Sequence, residues 1–186
     1  MNKRHMHSIR WYELTALAFL WAVLVGCARA EDLEDWQPCP SSLAQANAPT
    51  SAKDARWEVT LSPYTHHWRF SADHRPVFLG ALDRTVAGNR FCGLALFRNS
   101  FGQPAAYGYV GQRWDGIAGQ PKLFAKVSAG FIYGYKGKYQ HKIPFNDYGI
   151  APAIIPSIGY DFEKNASVQA MLLGTAGVLF AYGHSF

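Results

Sequence analysis

The residues in this chain best suited to chemistry are a pair of neighbouring histidines and an Asn-Ser pair. His66 and His67 lie within Tyr64-Thr-His-His-Trp-Arg-Phe70, and Asn99-Ser100 within Phe97-Arg-Asn-Ser-Phe101. A neutral imidazole takes a proton from a hydroxyl, and a hydroxyl so polarised becomes a nucleophile toward an acyl carbon. The pattern therefore points to acyl transfer or hydrolysis, provided that one histidine and Ser100 meet in space. The bland alternative is a turn serine that satisfies its own backbone and an interfacial histidine without a role. No clustered His, Cys and carboxylate spacing suggests a metal, and none of the chemistry considered needs a cofactor.

The elements that must position these groups read as strands. From residue 57 on, runs of strand length alternate with turn residues, and eight can be counted: about 57–70, 76–83, 90–98, 104–113, 122–135, 147–162, 166–173 and 177–186. The last is the clearest. Val178, Phe180, Tyr182, His184 and Phe186 share one face; Gly177, Leu179, Ala181, Gly183 and Ser185 share the other. In 122–135 the odd positions run from Leu123 to Tyr135 and oppose Lys122, Lys126, Ser128, Gly130 and Gly134. In 147–162 Tyr148, Ile150, Ile154, Ile158, Tyr160 and Phe162 oppose Asp147, Gly149, Ala151, Ser157, Gly159 and Asp161.

Apolar outside and small or polar inside is the dyad pattern of a transmembrane barrel. In lipid every backbone group needs a partner, so such a sheet has to close. The expected fold is all-β: an eight-stranded antiparallel transmembrane β-barrel behind a short N-terminal periplasmic segment. A soluble barrel of lipocalin type has the same count but an apolar interior, against which the inward Lys, Asp and Ser argue. Eight strands enclose side chains or one slender ligand, not a water-filled pore.

The N-terminus assigns the compartment. Lys3, Arg4 and Arg10 precede the apolar run Ala16 to Val25, and Ala28-Arg29-Ala30 offers a small-residue cleavage site. That is a secretory signal over residues 1–30. Leu24-Val25-Gly26-Cys27 also resembles a lipobox, which would leave Cys27 as a lipidated N-terminus. The domain reading is signal peptide 1–30, periplasmic lead-in 31–56 with a short helix near Ser41–Asn47, and barrel 57–186. The expected location is the outer membrane of a Gram-negative bacterium.

The leader carries four of the 18 Lys and Arg and one of the 13 Asp and Glu, so the formal +5 falls to +2 (14 against 12) once it is removed. Bulk charge then gives no reason to expect nucleic acid as a partner. No run of 18 apolar residues follows the leader, which excludes a helical membrane protein. Cys39 and Cys92 both persist after cleavage, and an oxidising compartment permits them to pair or to remain two thiols.

With an even strand count both termini face the periplasm, and the outward connections become 71–75, 99–103, 136–146 and 174–175. His67 and Ser100 then lie at the same end. On strand one the two histidines point to opposite faces. His66 shares a face with Tyr64, Trp68 and Phe70, which suit lipid headgroups, so His67, with Thr65, Arg69 and Ser71, is the inward one.

Several stretches resemble the lipid A palmitoyltransferase (PagP) family of outer-membrane enzymes. They are Tyr64-Thr-His-His-Trp-Arg-Phe-Ser-Ala-Asp73, Arg75-Pro76, Phe97-Arg-Asn-Ser-Phe101 running on to Tyr107-Gly-Tyr109 and Trp114, the Pro-interrupted strand around Ile150–Tyr160, and the terminal aromatic strand. The resemblance implies transfer of an acyl chain, palmitate in that family, from a phospholipid to lipid A, by a monomer in the outer-membrane bilayer without cofactor or metal. It carries the essential histidine onto His67 and an Asp-Ser pair onto Asn99 and Ser100, so Asn99 stands where an aspartate is expected. An amide cannot hold charge against an imidazolium, which leaves three readings: Asn99 orients by hydrogen bonding alone, Asp73 or Asp83 substitutes, or the chain is a diverged or inactive relative. The lead-in lacks the family's amphipathic helix, and the turn after Ser100 looks shorter. Pro63, Pro76, Pro152 and Pro156 fall within or at the start of strands, where they cannot donate to the ladder. The resemblance suggests unzipped places through which an acyl chain enters sideways. Arg69, Arg75 and Arg98, with Lys136, Lys138, His141 and Lys142, would form a cationic rim suited to lipid A phosphates.

Overall fold

The computed structural model describes residues 38–44 and 56–186. The expected signal peptide, the lipobox alternative at Cys27 and most of the expected lead-in lie outside the described residues.

Eight antiparallel strands close into a barrel in chain order. They are β1 (Trp57–His67), β2 (Leu79–Val86), β3 (Arg90–Arg98), β4 (Pro104–Asp115), β5 (Leu123–Tyr133), β6 (Ile150–Glu163), β7 (Ala166–Leu172) and β8 (Gly177–Ser185). Closure is made by β1 against β8. Phe186 donates its N–H to the Trp57 carbonyl at 2.9 Å and accepts from the Trp57 N–H at 3.1 Å, so the terminal aromatic residue itself seals the seam. Both ends of the barrel sequence thus meet at one rim, called here the terminal end; the opposite rim is the mouth.

The outer surface is apolar. Leu94, Phe131, Ile154, Ile158 and Phe180 are exposed on it, with Tyr64, Trp68, Phe78 and Tyr133 toward the mouth and Trp114, Tyr160 and Tyr182 toward the terminal end. That is the surface a barrel presents to hydrocarbon, with aromatic side chains at both borders. Even positions of β5 and odd positions of β6 point inward, as the alternation predicts.

The interior is not uniform. Toward the terminal end it is ionic: Lys126 pairs with Glu58 at 2.5 Å and lies 4.0 Å from Asp83, and Arg113 bridges Asp161 and Asp115 at 2.5 and 2.6 Å. Tyr109 donates its hydroxyl to Asp83. A cavity of about 480 Å³ at this end is lined by Glu58, Asp83, Arg113, Lys126 and Asp161 among others. Toward the mouth the interior turns apolar, with Leu79, Ala81, Ala95, Phe97, Tyr107 and Ile155 in one cluster and Val77, Met171, Leu173 and Leu179 in another. The expectation of a small or polar interior throughout is therefore corrected for the mouth half. Inward positions change character halfway along each strand, and a count of polar against apolar faces averages over that change.

Boundaries also shift at the mouth. β1 stops at His67 and β2 begins at Leu79, so their connection spans 68–78 rather than 71–75, and Pro76 precedes the strand. β6 begins at Ile150, after Gly149 at φ 79°, a left-handed conformation that interrupts the extended backbone.

Cys39 and Cys92 form a disulfide with Cα atoms 5.4 Å apart. Cys92 shares the outward parity of Leu94 and Leu96, and Cys39 packs with Val86, Cys92 and Leu43. The bond ties the short helix α1 (Ser41–Ala44) to the outer face of β2 and β3.

Candidate active site

His67 reaches the mouth on its inward face because β1 contains a bulge. Glu58, Thr60 and Ser62 point inward at even positions; an unbroken alternation would send His67 out. The register against β8 jumps from Leu61↔Tyr182 to Tyr64↔Phe180, so Ser62 and Pro63 together oppose Ala181. Beyond this bulge odd positions turn inward, and Thr65 is buried. Pro63 has no N–H to give the ladder, while the Ser62 hydroxyl donates to the Phe180 carbonyl at 2.6 Å and pins the irregularity.

Ser100 is held by the tight turn between β3 and β4. Asn99 Oδ1 accepts the backbone N–H groups of Phe101 and Gln103, each at 3.0 Å. The backbone adds Asn99 N–H to the Gln103 carbonyl at 2.9 Å and Gly102 N–H to the Asn99 carbonyl at 2.8 Å. Gly102 takes φ 78°, and a Cβ there would stand 3.0 Å from Arg75 Cδ, so glycine serves both the turn and the close approach of Arg75.

The two elements meet: His67 Nε2 lies 2.6 Å from Ser100 Oγ, across 33 residues of sequence. With Nε2 unprotonated the serine hydroxyl donates to it, the geometry required for proton abstraction. Thr65 Oγ1, two residues before His67 on the same face, is buried without a hydrogen-bond partner among the described residues.

The remaining sequence candidates fall apart from this pair. Asn99 is 1% exposed and commits its oxygen to the turn, with its amide 3.5 Å from the Gly134 carbonyl; it does not hydrogen-bond His67. Asp83 pairs across from Glu58 in the ionic half, far down the strand from His67. Asp73 is exposed, and its N–H donates to Ser71 Oγ. Among the described residues no carboxylate is bonded to His67. Arg69 and Arg75 are exposed in the 68–78 connection, with Arg75 against the Ser100 turn. Arg98 shares the outward parity of Leu94 and Leu96 and so leaves the barrel on its outer surface. Lys142 stands over the Phe101 ring at 5.9 Å and Lys138 over Tyr139 at 4.8 Å, which puts two rim cations beside the serine turn.

Sequence reasoning missed His74. Its ring packs against that of His67 at a tilt of 32°, centroids 4.2 Å apart, and meets the edge of Phe101 at 5.7 Å. Nothing in the spacing of His67 and His74 marks them as partners; the connection has to fold back over the serine turn, and the sequence carries no sign of that path.

The wall is incomplete on both sides of the mouth. The β1–β2 ladder ends at Ser62↔Leu79, leaving Tyr64–His67 paired to β8 alone. The β6–β7 ladder ends at Ser157↔Met171, so the mouth half of β6, containing Pro152 and Pro156, pairs only with β5. Prolines have no donor to offer a second neighbour there.

The fold and site define a closed eight-stranded barrel with a His–Ser pair at its mouth. A solved structure from "De novo design of transmembrane beta-barrels" is similar to this chain at TM-score 0.50 and 16% identity, covering 72% of this chain and 96% of that one. No protein-family model matches the chain, and no curated protein does.

Proposed function

We propose that the protein is an outer-membrane acyltransferase that moves an acyl chain, palmitate by resemblance, from a phospholipid to lipid A. The observation that carries this reading is the 2.6 Å contact of His67 Nε2 with Ser100 Oγ beside an unzipped stretch of wall. A water-soluble substrate would need no lateral opening; a lipid in the surrounding leaflet does.

In the proposed reaction His67 takes the Ser100 proton as Oγ attacks the phospholipid ester carbonyl. The tetrahedral adduct collapses, and the lysophospholipid alkoxide leaves with the proton from His67. A lipid A hydroxyl, deprotonated in turn by His67, attacks the acyl-serine and returns Ser100 to its free state. The apolar mouth half of the interior suits the hydrocarbon tail, and the ionic terminal half would stop it. Arg75, Lys138 and Lys142 stand where lipid A phosphates would approach, although the outward Arg98 suits headgroups outside the barrel instead.

The test is mass spectrometry of lipid A from Gram-negative cells expressing the wild type, His67→Ala or Ser100→Ala. A gain of one acyl chain with the wild type, absent in both variants, is expected. No gain with folded wild type points to a non-enzymatic barrel, an adhesin or membrane stabiliser; a gain that survives both substitutions removes the site.

A further inference from the structure

Among the described residues the His67–Ser100 pair lacks the third member that usually orients such a base. A carboxylate bonded to the far imidazole nitrogen fixes the ring and favours the productive tautomer. Here Asn99, the residue at the expected position, has its oxygen occupied by two backbone N–H groups, and neither Asp73 nor Asp83 bonds His67. Something else has to hold the ring at 2.6 Å from the hydroxyl.

We propose that His74 is a positioning residue that orients His67 by stacking on its ring, in place of a hydrogen-bonded carboxylate. The rings lie 4.2 Å apart at 32°. Phe101 stands behind His74, edge to face at 5.7 Å and 64°, and Phe101 is stacked on Tyr139 at 4.2 Å and 14°. His67 is thus the end of a row of four rings that runs from β1 through the 68–78 connection to the β5–β6 connection. Backbone bonds lock the row to the nucleophile: His74 N–H donates to the Ser71 carbonyl at 3.0 Å, and Arg75 N–H to the carbonyl of Ser100 itself at 2.8 Å. The residue that stacks on the base and the residue that carries the nucleophile are therefore one bonded unit. Offset and tilted ring pairs are favoured geometries, and a stack restrains the torsion that decides whether Nε2 points at Oγ. The ring identity matters more than the hydrogen-bonding capacity, so phenylalanine should replace His74 and an aliphatic residue should not.

This inference deepens the acyltransferase reading and rests on it for the rate measurement, but not for the structural one. In purified full-length protein in detergent micelles, ¹⁵N imidazole spectra report the His67 tautomer directly. The wild type and His74→Phe should show one tautomer with Nε2 unprotonated, held by the Ser100 hydroxyl. His74→Ala and His74→Leu, two variants so that one folded protein is available, should show averaged tautomers. With phospholipid vesicles as donor and lipid A as acceptor, those two should lose about a hundredfold in kcat with KM little changed, the cost of a misplaced reacting group, and His74→Phe should recover most of it. A His67 spectrum unchanged in His74→Ala or His74→Leu overturns the proposal, as does a His74→Phe spectrum that matches theirs. If the spectra behave as expected while the wild type transfers no acyl chain, the positioning role stands and the acyltransferase reading falls.

Discussion

Asn99 directs its side-chain oxygen to the N–H of Gln103 at 3.0 Å, four residues along its own turn, and not toward His67. The asparagine at the position where the resemblance implies an aspartate is therefore a turn anchor. Asn99→Ala leaves two partly buried N–H groups without their side-chain acceptor and should lower unfolding free energy by about 1 kcal/mol, read from urea denaturation in micelles. Asn99→Asp keeps the acceptor but turns a carboxylate toward the Gly134 carbonyl, so it should not raise acyl transfer; higher activity in that variant would show that the site wants a charge there.

His67 accepts the Ser100 proton only when its imidazole is neutral. Acyl transfer should fall about tenfold per pH unit below the titration of the His67 imidazole. The sign follows from the base form being lost as pH falls. A rate that rises toward acid pH would assign His67 a different role.

Thr65 buries a hydroxyl with no partner among the described residues. Thr65→Val removes that unpaired group at nearly constant shape and should leave the barrel equally stable or up to about 1 kcal/mol more stable. If the hydroxyl instead meets the substrate, the same variant loses transfer rate while gaining stability, and the two readouts separate the cases.

The Cys39–Cys92 disulfide spans 53 residues. Reducing it should lower stability by up to about 4 kcal/mol on a chain-entropy basis and release α1 from the outer face of β2 and β3. The barrel ladder uses neither cysteine side chain, so heat-modifiable migration should survive reductant while the urea midpoint drops.

Pro152 and Pro156 mark the stretch of β6 that has no β7 partner. The double variant Pro152→Val, Pro156→Val restores two donors and should let the ladder extend, raising the urea midpoint. Transfer measured on lipid A should slow if this opening admits a lipid, and stay unchanged if lipids enter only between β1 and β2.

Much of the architecture is legible in the chain because strands declare themselves by a period of two. The faces of β5, β6 and β8 follow from alternation alone, and β3 is bounded by the turn residues that flank it. Phe186 ends the strand whose alternation is clearest, and the fold sets it at the closing seam with Trp57. Chemistry is less legible: the strand count puts His67 and Ser100 at one end, but alternation says nothing about how closely they approach or how a connection folds over them.

The sequence by itself determined the eight strands and the alternation of their faces, because side-chain direction in a strand is a local property of the backbone; it did not show that the interior turns apolar toward the mouth. Tertiary structure decided the rest. The bulge at Ser62 and Pro63 lets His67 face in although Glu58, Thr60 and Ser62 do too, and closure of the barrel brings His67 within 2.6 Å of Ser100. Only the folded connection lays His74 on His67, because stacking depends on a path through space that no spacing along the chain encodes.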